Sequence, residues 1–349
     1  MAASPKPRVI LGLMTIGPDE DNGARITSLD VFNEVLDKFQ ARGHTEVDTA
    51  RLYNLGKQEA FTREANWKAR GLQIATKVYP LPPGTHKADI LTQQFDISLK
   101  ELGTDCIDIA YLHAPDRSVP FAETLEAMDK MYRAGKFKTF GLSNYTAFEV
   151  AEIAMTCHHR GWVRPTIYQA GYNILSRHIE AELIPACRRY GLDIVVYSPI
   201  AGGLVAGQYM YSDKSVIPAE GRFSNKFFNG LVRDRYFKDA IFDAARVVRE
   251  TADQHGLAAV EVALRWMVHH SGLNIKDGGN DGVIIGISRL EHLDSNLDDL
   301  QKGPLPDAVV EALDYAWKVA MPEASPYWHG TPEYTYDTAA ALFGLEEEK

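Results

Sequence analysis

The feature that most constrains the fold of this chain is a regular alternation of short apolar segments with longer amphipathic ones. The short segments are rich in β-branched residues, which favour strands. Eight strands are predicted, at residues 9–16, 45–49, 72–79, 106–113, 137–143, 166–172, 192–198 and 282–287. Strands that alternate with helices are typical of a parallel sheet, because parallel neighbours need a crossover connection.

The segments between the strands have the apolar spacing of helices. Helices are predicted at residues 28–42, 56–69, 87–102, 121–134, 147–160, 179–190, 237–255 with 258–270, and 290–300. Seven helical segments are followed by a glycine, which easily adopts the left-handed conformation that ends a helix. These glycines are Gly43, Gly71, Gly103, Gly135, Gly161, Gly191 and Gly256. Eight strand–helix pairs predict an α/β fold of the closed (β/α)₈ TIM barrel type, and no G-x-G-x-x-G motif supports a doubly wound sheet.

Two segments depart from this alternation. Residues 201–236, after the seventh strand, are too many for an ordinary connection and are predicted to form a functional loop. Residues 303–349 are predicted to form a C-terminal helix and an aromatic tail that packs on the barrel. No linker divides the chain, so we expect a single domain over residues 1–349, with the barrel at about 8–302.

Composition narrows the possible functions. The chain has 37 Lys and Arg against 47 Asp and Glu, and its formal net charge of −10 argues against a nucleic-acid partner. A content of 45% hydrophobic residues excludes an intrinsically disordered chain. The sequence contains no run of about 20 apolar residues and no secretory signal, so we expect a soluble, cytoplasmic protein without a membrane partner.

Polar side chains stand at the carboxyl ends of the predicted strands, where (β/α)₈ barrels carry their reactive groups. Asp48 ends the second strand, and Tyr53 follows in the next loop. Lys77 and His113 end the third and fourth strands. Taken singly, each is more often a turn, a cap or a core side chain than a catalytic group. Together, at neighbouring strand ends, the four residues indicate a catalytic site.

These four side chains suit the protonation of an oxygen atom. A tyrosine is a weak acid with an ordinary pKa of about 10, and the ammonium of Lys77 is expected to lower the pKa of Tyr53. Asp48 is expected to hold Lys77 in an ion pair, because a buried lysine without a partner loses its proton. His113 is expected to orient a carbonyl oxygen. The arrangement predicts reduction of an aldehyde or ketone by hydride.

Five motifs in order resemble the aldo-keto reductase superfamily. They are GHTEVDTARLY, ATKV, YLHAPD, GLSNY and YQAGYN, and the resemblance extends from residue 8 to about residue 328. The strings SPIAGGL, GRF and GVIIGISRLEHLDSNL are most similar to its aflatoxin-aldehyde reductase branch. The resemblance implies a catalytic tetrad in which Tyr53 is the general acid. The positions that match the tetrad are Asp48, Tyr53, Lys77 and His113.

The same resemblance implies NADPH or NADP⁺ as the cofactor. Ser143, Asn144 and Gln169 match the residues that hold the nicotinamide carboxamide. Tyr197 matches a residue whose ring stacks on the nicotinamide. The positions that match the loop over the pyrophosphate are Ser198, Ile200, Gly202 and Arg222, and those at the adenosine end are Ser288, His292 and Asn296. Arg222 is also expected near the adenosine phosphate, which favours NADPH over NADH.

The spacing of Ser288, His292 and Asn296 is informative in itself. They recur every four residues, so they share one helix face at the start of the eighth helix, where anions bind readily. A capping box is the alternative explanation, because residues 288–291 have the S-x-x-E pattern. Anion binding and capping use the same helix end, so the sequence leaves both open.

The tail departs from the pattern of the branch that the chain resembles. There, an aromatic residue followed by arginine grips a substrate carboxylate, whereas Trp328 and His329 stand at these positions here. We therefore expect carboxylated aldehydes such as succinic semialdehyde to be poor substrates and a bulkier, aromatic or polyketide-like carbonyl to be favoured. Any carboxylate would need another cation, for which Arg222 and Lys226 are candidates. The resemblance also implies a homodimer.

Two rival functions remain open from the sequence. The first is a nucleotide-sensing regulatory subunit, because the potassium-channel β-subunits share the barrel and the tetrad of this family. The second is a metal-dependent barrel hydrolase, which the sequence disfavours because it has no H-x-H or H-E-x-x-H motif. We therefore expect an oxidoreductase without a metal, whose small-molecule partner is a carbonyl compound.

Overall fold

The computed structural model of this protein describes residues 6–207, 209, 215–219, 221–226, 230–275 and 279–344. Eight parallel strands pair in chain order, and pairing of the first with the eighth closes them into a barrel. The strands are β1 (Arg8–Gly12), β2 (Glu46–Asp48), β3 (Gln73–Val78), β4 (Ile107–Leu112), β5 (Phe137–Ser143), β6 (Ile167–Gly171), β7 (Asp193–Tyr197) and β8 (Gly282–Gly286). The predicted (β/α)₈ TIM barrel is confirmed.

Helices alternate with these strands along the chain. They are α1 (Leu29–Ala41), α2 (Gln58–Glu64), α3 (Ala88–Leu102), α4 (Phe121–Arg133), α5 (Ala147–Arg160), α6 (Leu183–Tyr190), α7 (Leu231–Tyr236), α8 (Asp239–Gln254), α9 (Ala259–His269), α10 (Glu291–Gln301), α11 (Asp307–Ala320) and α12 (Thr338–Phe343). The seven predicted helix-ending glycines all have φ between 65° and 74°, which confirms their left-handed conformation. Within the described residues, no helix is long and apolar enough to cross a membrane.

Two predicted helices are shorter than expected. Only Gln58–Glu64 of the segment 56–69 is α-helical, because the Tyr53–Gly56 segment before it forms a separate 3₁₀ turn with left-handed residues. In the segment 179–190, α6 begins at Leu183 and carries Pro185 in its first turn. Proline is tolerated there because the N–H groups of a first turn have no partner within the helix.

The inside of the barrel is filled by one packed layer of side chains. Its members are Ile10, Ala75, Tyr111, Ile167, Val195 and Ile284. The Tyr111 ring lies so close to β5 that a Cβ atom on Gly141 would be 2.4 Å from it. Side chains alternate between the two faces of a strand, so the inward-facing residues two positions later lie above this layer. Those residues include Lys77 and His113, which places the polar strand ends over a closed apolar base.

Residues 201–236 have more regular structure than the predicted loop. A 3₁₀ segment, Ala201–Ala206, follows β7, and α7 precedes α8. Phe223 is completely buried between them, and its ring centroid lies 5.0 Å from that of Tyr209 and 4.9 Å from that of Phe237. Aromatic packing therefore holds the described parts of this segment against the barrel.

Candidate active site

Lys77 and Asp48 meet where β2 and β3 end. Their Nζ and Oδ2 atoms are 2.6 Å apart, which confirms the predicted ion pair. Lys77 also donates to the carbonyl oxygen of Thr49 at 2.7 Å, and Gln169 donates to the second carboxylate oxygen of Asp48 at 2.9 Å. Lys77 is completely buried and Asp48 is 3% exposed, so each charge depends on the other for its stabilisation.

Tyr53 and His113 lie beside this ion pair. The Nζ atom of Lys77 is 5.1 Å from the centroid of the Tyr53 ring. The Tyr53 and His113 rings are 6.0 Å apart and close to perpendicular. The barrel thus brings the four residues that the sequence places at successive strand ends into one cluster.

An unusual backbone turn carries Tyr53. Asn54 and Leu55, which follow it, have φ values of 50° and 51°, a conformation that costs a non-glycine residue about 1 to 2 kcal/mol. The Asn54 side chain holds the turn against the loop after β1: it donates to the carbonyl oxygens of Asp19 and Asn22 at 2.7 and 3.0 Å. It also accepts the backbone N–H of Asp19 at 3.0 Å. Distant contacts therefore maintain the position of Tyr53.

A buried ion pair that the sequence analysis missed supports the same turn. Arg51 pairs with Glu59 at the start of α2 and also donates to the carbonyl oxygen of Gly56. Glu59 is completely buried and accepts a hydrogen bond of 2.6 Å from the hydroxyl of Thr76 in β3. Arg51 lies within the GHTEVDTARLY motif, but nothing in that motif identifies Glu59 as its partner.

The sequence predicts that the pKa of Tyr53 is lowered, and this prediction is wrong. Burial raises the pKa of Tyr53 well above its ordinary value, and the charge of Asp48 raises this pKa further. The charge of Arg222 acts in the opposite direction. Burial is the largest of these causes, and Asp48, 2.6 Å from Lys77, opposes the effect of the ammonium. Tyr53 therefore holds its proton at neutral pH and is available as a proton donor.

His113 is a neutral imidazole at neutral pH. Burial lowers its pKa well below the ordinary value, and the charge of Lys77 adds to this shift. Its Nδ1 atom is buried and has no hydrogen-bond partner among the described residues. The ring lies edge-on to the Tyr79 ring at 5.3 Å. A neutral ring beside Tyr53 is suited to orient a polar oxygen without repelling Lys77.

Polar groups at the ends of β5, β6 and β7 form a second cluster. Ser143 and Gln169 are register partners. Asn144 has φ of 62°, and its side chain donates to the His113 carbonyl oxygen at 2.8 Å and to the Ser143 hydroxyl at 3.0 Å. The hydroxyl of Tyr197 donates to Oδ1 of Asn144 at 2.8 Å.

This second cluster fits the nicotinamide group that the family resemblance implies. A carboxamide offers both hydrogen-bond donors and an acceptor, and the hydroxyl of Ser143 and the amides of Asn144 and Gln169 supply both types of partner. The partly exposed ring of Tyr197 provides a flat surface beside them. These residues would hold the nicotinamide next to Tyr53 and His113, because Asn144 and Gln169 bond directly to the catalytic cluster.

The segment after β7 brings one cation toward the barrel centre. Ser198 has φ of 58° and Gly202 of 67°, and Ile200 packs on the hydrophobic core. The guanidinium of Arg222 lies 3.1 Å from the sulfur of Met14, in the loop after β1. The charge of Arg222 also lowers the pKa of Tyr53, which places this arginine near the cluster around Lys77, and its contact with an adenosine phosphate stays a prediction.

Lys226, the other candidate cation of this segment, points elsewhere. It forms an exposed ion pair with Asp21, with the Nζ and Oδ1 atoms 3.2 Å apart. An exposed pair of this kind contributes little to binding or stability. The structure therefore gives no support to Lys226 as a partner for a substrate carboxylate.

The three residues of the predicted adenosine end lie around the start of α10. The Ser288 hydroxyl and Nδ1 of His292 are 3.3 Å apart, and Asn296 is buried one turn later. The alternative capping box does not form, because α10 begins only at Glu291 and Ser288 lies in the preceding turn. Arg289 is not predicted from the sequence as a site residue, and its Nη2 lies 3.3 Å from Nε2 of His292. Arg289 is exposed and is the cation beside this group.

The tail brings one of its two predicted residues to the site. Nδ1 of His329 lies 3.4 Å from the hydroxyl of Tyr79, and its backbone N–H donates to the Asn144 carbonyl oxygen at 3.1 Å. Burial, with the charges of Arg235 and Arg117, lowers the pKa of His329 to about 3. His329 is therefore neutral.

Trp328, the second of the predicted tail residues, is placed differently. Its ring is perpendicular to that of Tyr327 at 5.0 Å and packs on the hydrophobic core. The predicted contact between Trp328 and a substrate therefore has no support in these contacts.

Arg235 is a further residue near the site that the sequence analysis missed. It donates to the carbonyl oxygen of Pro326 at 2.6 Å and hydrogen bonds to the side chain of Tyr197. Its charge also affects the pKa values of Tyr79 and His329. It follows Arg222 and Lys226 in the same segment, and the sequence contains no signal that distinguishes it from them.

Comparison with known proteins identifies the family. The model described as the aldo/keto reductase family matches residues 8–318. The chain belongs to the aldo/keto reductase family. Membership makes it an oxidoreductase of carbonyl groups, and proteins of this family use nicotinamide cofactors.

Individual aldo/keto reductases are similar to this one over most of their length. An aldo-keto reductase of Pseudocercospora fijiensis is 41% identical over 298 residues, 84% of this chain and 100% of that protein. Human aflatoxin B1 aldehyde reductase member 2 is 39% identical over 338 residues, 94% of this chain and 92% of that protein. The aldo-keto reductase pigE of Monascus ruber is 39% identical over 341 residues, 93% of this chain and 99% of that protein. The resemblance found in the motifs is confirmed.

The hydrolase alternative gains no support from the structure of this aldo/keto reductase. Among the residues that the structure describes, His, Cys, Asp and Glu side chains form no group of three or more that could hold a metal ion. His158 and His159 lie on α5, and His269 ends α9 with His270 directly after it, so neither pair stands at a strand end beside Lys77.

The turn that carries Tyr53 leads to a first prediction. Asn54→Ala removes three hydrogen bonds that hold the turn, so we expect kcat for aldehyde reduction to fall about tenfold or more through misplacement of the Tyr53 hydroxyl. The matched control is Asn66→Ala, at an exposed left-handed asparagine with φ of 55°. Both variants lose stability from the backbone conformation, but only Asn54→Ala should lose activity beyond about twofold. Equal kcat values, measured with thermal midpoints, would remove Asn54 from this role.

Proposed function

We propose that this aldo/keto reductase reduces an aldehyde or ketone to the alcohol, with hydride from NADPH and a proton from Tyr53. The observation that carries the proposal is the buried ion pair of Lys77 and Asp48, 2.6 Å apart, beside a phenol that burial keeps protonated. A held proton next to a buried cation suits an oxygen on which negative charge develops. The family supports carbonyl reduction, and these contacts support the role of Tyr53.

The chemistry requires one hydride and one proton. When bound, the nicotinamide supplies the hydride and its electron pair, which form the new C–H bond at the carbonyl carbon. The Tyr53 hydroxyl donates its proton to the carbonyl oxygen, so the phenol O–H bond breaks as the alcohol O–H bond forms. The resulting phenolate lies close to the Lys77 ammonium, which Asp48 keeps protonated. Neutral His113 orients the carbonyl oxygen toward Tyr53.

We assign residues to each part of the cofactor, from the nicotinamide at the barrel centre to the adenosine at the start of α10. Ser143, Asn144 and Gln169 bind the carboxamide, and the ring of Tyr197 lies against the nicotinamide. Arg222, which points toward the catalytic cluster, binds the pyrophosphate. Arg289 binds the adenosine 2′-phosphate, because it is the exposed cation beside His292 at the start of a helix, where anions are favoured. This contact makes NADPH the preferred cofactor.

We propose an uncharged aromatic carbonyl compound as the substrate. Tyr79 and His329 stand at the site with rings 6.0 Å apart, and His329 is neutral. Arg235 hydrogen bonds to Pro326 and Tyr197, which leaves it less available for a substrate carboxylate. Several relatives are named as aflatoxin B1 aldehyde reductases, which supports a large aromatic substrate.

The role of Tyr53 is tested by Tyr53→Phe. Only the donated proton is lost, so we expect kcat for aldehyde reduction to fall about a hundredfold or more while the NADPH Kd changes by less than about threefold. NADPH fluorescence measures the Kd. Tyr315→Phe makes the same change at a tyrosine that is 59% exposed on α11 and should change neither value. Turnover by Tyr53→Phe close to that of the wild type would contradict the assignment.

The two phosphate assignments are tested by a pair of arginine variants. Arg289→Ala should weaken NADPH binding by about 1.5 to 3 kcal/mol and leave NADH nearly unchanged, because only NADPH carries the 2′-phosphate. Arg222→Ala should weaken both cofactors to a similar extent, because both carry the pyrophosphate. Titration calorimetry of both cofactors against both variants gives the comparison. Selective loss of NADPH in Arg222→Ala, with none in Arg289→Ala, would reverse the two assignments.

A further inference from the structure

The segment after Trp328 lies against the ends of β4 and β5 and the start of α5. Tyr327 anchors the beginning of this segment: its hydroxyl donates to Glu182 at 2.6 Å and accepts the backbone N–H of Ala147 at 3.0 Å. His329 follows and hydrogen bonds through its backbone N–H to Asn144 at 3.1 Å. The tail therefore touches a residue that we assign to cofactor binding.

A buried ion pair lies directly beneath this segment. Nε of Arg117 is 2.7 Å from Oε1 of Glu149, and Nη2 is 3.0 Å from Oε2. Glu149 also forms a capping box with Thr146 that begins α5, two residues after Asn144. Glu149 is completely buried and Arg117 is 8% exposed, so the pair is a rigid part of the framework that carries Asn144.

The same ion pair binds the tail on both sides of Gly330. The remaining guanidinium nitrogen of Arg117, Nη1, donates to the His329 carbonyl oxygen at 2.7 Å. Further along, the Tyr334 hydroxyl donates to Oε1 of Glu149 at 2.8 Å, and the Thr335 N–H donates to the Arg117 carbonyl oxygen at 3.1 Å. The Tyr334 ring also packs edge-on to Phe121 at 5.9 Å.

We propose that residues 330–336, bound through Arg117 and Glu149, act as a positioning segment that holds His329 at the entrance of the catalytic site. Hydrogen bonds hold the backbone of His329 on both sides of its Cα atom. Its N–H donates to the carbonyl oxygen of Asn144, and its carbonyl oxygen accepts from Arg117. Its side chain is thereby directed to the hydroxyl of Tyr79, 3.4 Å away. The low pKa of His329, about 3, is consistent with a ring enclosed by this arrangement and by Arg235.

The consequence for substrate choice rests on the proposed function. Tyr79 contacts both His113 and His329, so a displaced His329 changes the width of the entrance beside the reacting carbonyl. The proton donor Tyr53 and the carboxamide partner Gln169 lie instead beside the ion pair of Lys77 and Asp48. Loss of the positioning segment should therefore alter KM for bulky substrates more than kcat.

Gly330 allows the contact with Arg117 to be perturbed from the surface. It is exposed and has φ of 67°, and a Cβ atom there would lie 3.2 Å from Nη1 of Arg117. Gly344 offers a matched control in the same tail, because its φ is 65° and a Cβ atom would meet nothing within 4 Å. Alanine strains both positions equally, but only at Gly330 does it press on the arginine that holds His329.

The first measurement does not depend on activity. Histidine-ring NMR titrations, with the His329 signal assigned by its loss in His329→Gln, report how enclosed the ring is. Gly330→Ala should raise the pKa of His329 by about one unit or more toward the ordinary value of about 6.5, and Gly344→Ala should leave it unchanged. Tyr334→Phe, which removes the hydroxyl from Glu149 but keeps the ring, should act in the same direction as Gly330→Ala. An unchanged His329 pKa in both Gly330→Ala and Tyr334→Phe would overturn the proposal.

The second measurement tests substrate choice. The ratio of kcat/KM for 2-naphthaldehyde to that for benzaldehyde should change about threefold or more in Gly330→Ala, through KM, and remain constant in Gly344→Ala. In a His329→Ala background, Gly330→Ala should have no further effect on this ratio, because its effect passes through His329. An equal effect in both backgrounds would show a general structural change and would contradict the specificity role. If the wild type reduces neither aldehyde, the proposed function fails, and the NMR titrations alone decide the positioning role.

Discussion

The ion pair between Lys77 and Asp48 is the interaction on which the site depends. Burial by itself lowers the pKa of Lys77, and only a carboxylate at hydrogen-bond distance keeps a completely enclosed ammonium charged. The barrel provides this partner, because β2 and β3 are neighbours: Asp48 is the register partner of Ala75, and Lys77, two residues later, points to the same face of the sheet as Ala75. Removing either group leaves an uncompensated buried charge, which typically costs about 3 to 5 kcal/mol. Stability and chemistry therefore constrain the same two residues.

Much of this arrangement follows from the sequence, because it depends on local periodicity. Alternating strands and helices predict the closed barrel, and in such a barrel every strand end faces one side. Lys77 and His113 can therefore be placed together from their positions in two separate strands. Ser143 at the end of β5 and Gln169 within β6 are also singled out from the sequence, and the structure pairs them in register. No knowledge of side-chain contacts is needed for these four.

The remainder depends on contacts between distant segments, which periodicity does not encode. The turn at Tyr53 is held by Asn54, whose partners lie in the loop after β1. Arg222 lies beside Met14, next to the aromatic packing around Phe223, and the GRF string that contains both residues does not specify these contacts. The S-x-x-E pattern at Ser288 predicts a capping box, but the preceding turn delays the helix by two residues. Family motifs identify positions, whereas the direction of each side chain requires the fold.

We propose that Tyr53 and its buried ion pair serve direct hydride transfer to a carbonyl carbon. The most direct test uses NADPH that carries deuterium at the transferred position of the nicotinamide C4, with benzaldehyde as substrate. Mass spectrometry and proton NMR of the product should show benzyl alcohol with one deuterium at the carbinol carbon and none from solvent at that carbon. NADPH binding without formation of alcohol, as expected of a nucleotide sensor, or an alcohol whose carbinol hydrogen comes from solvent, would contradict the account.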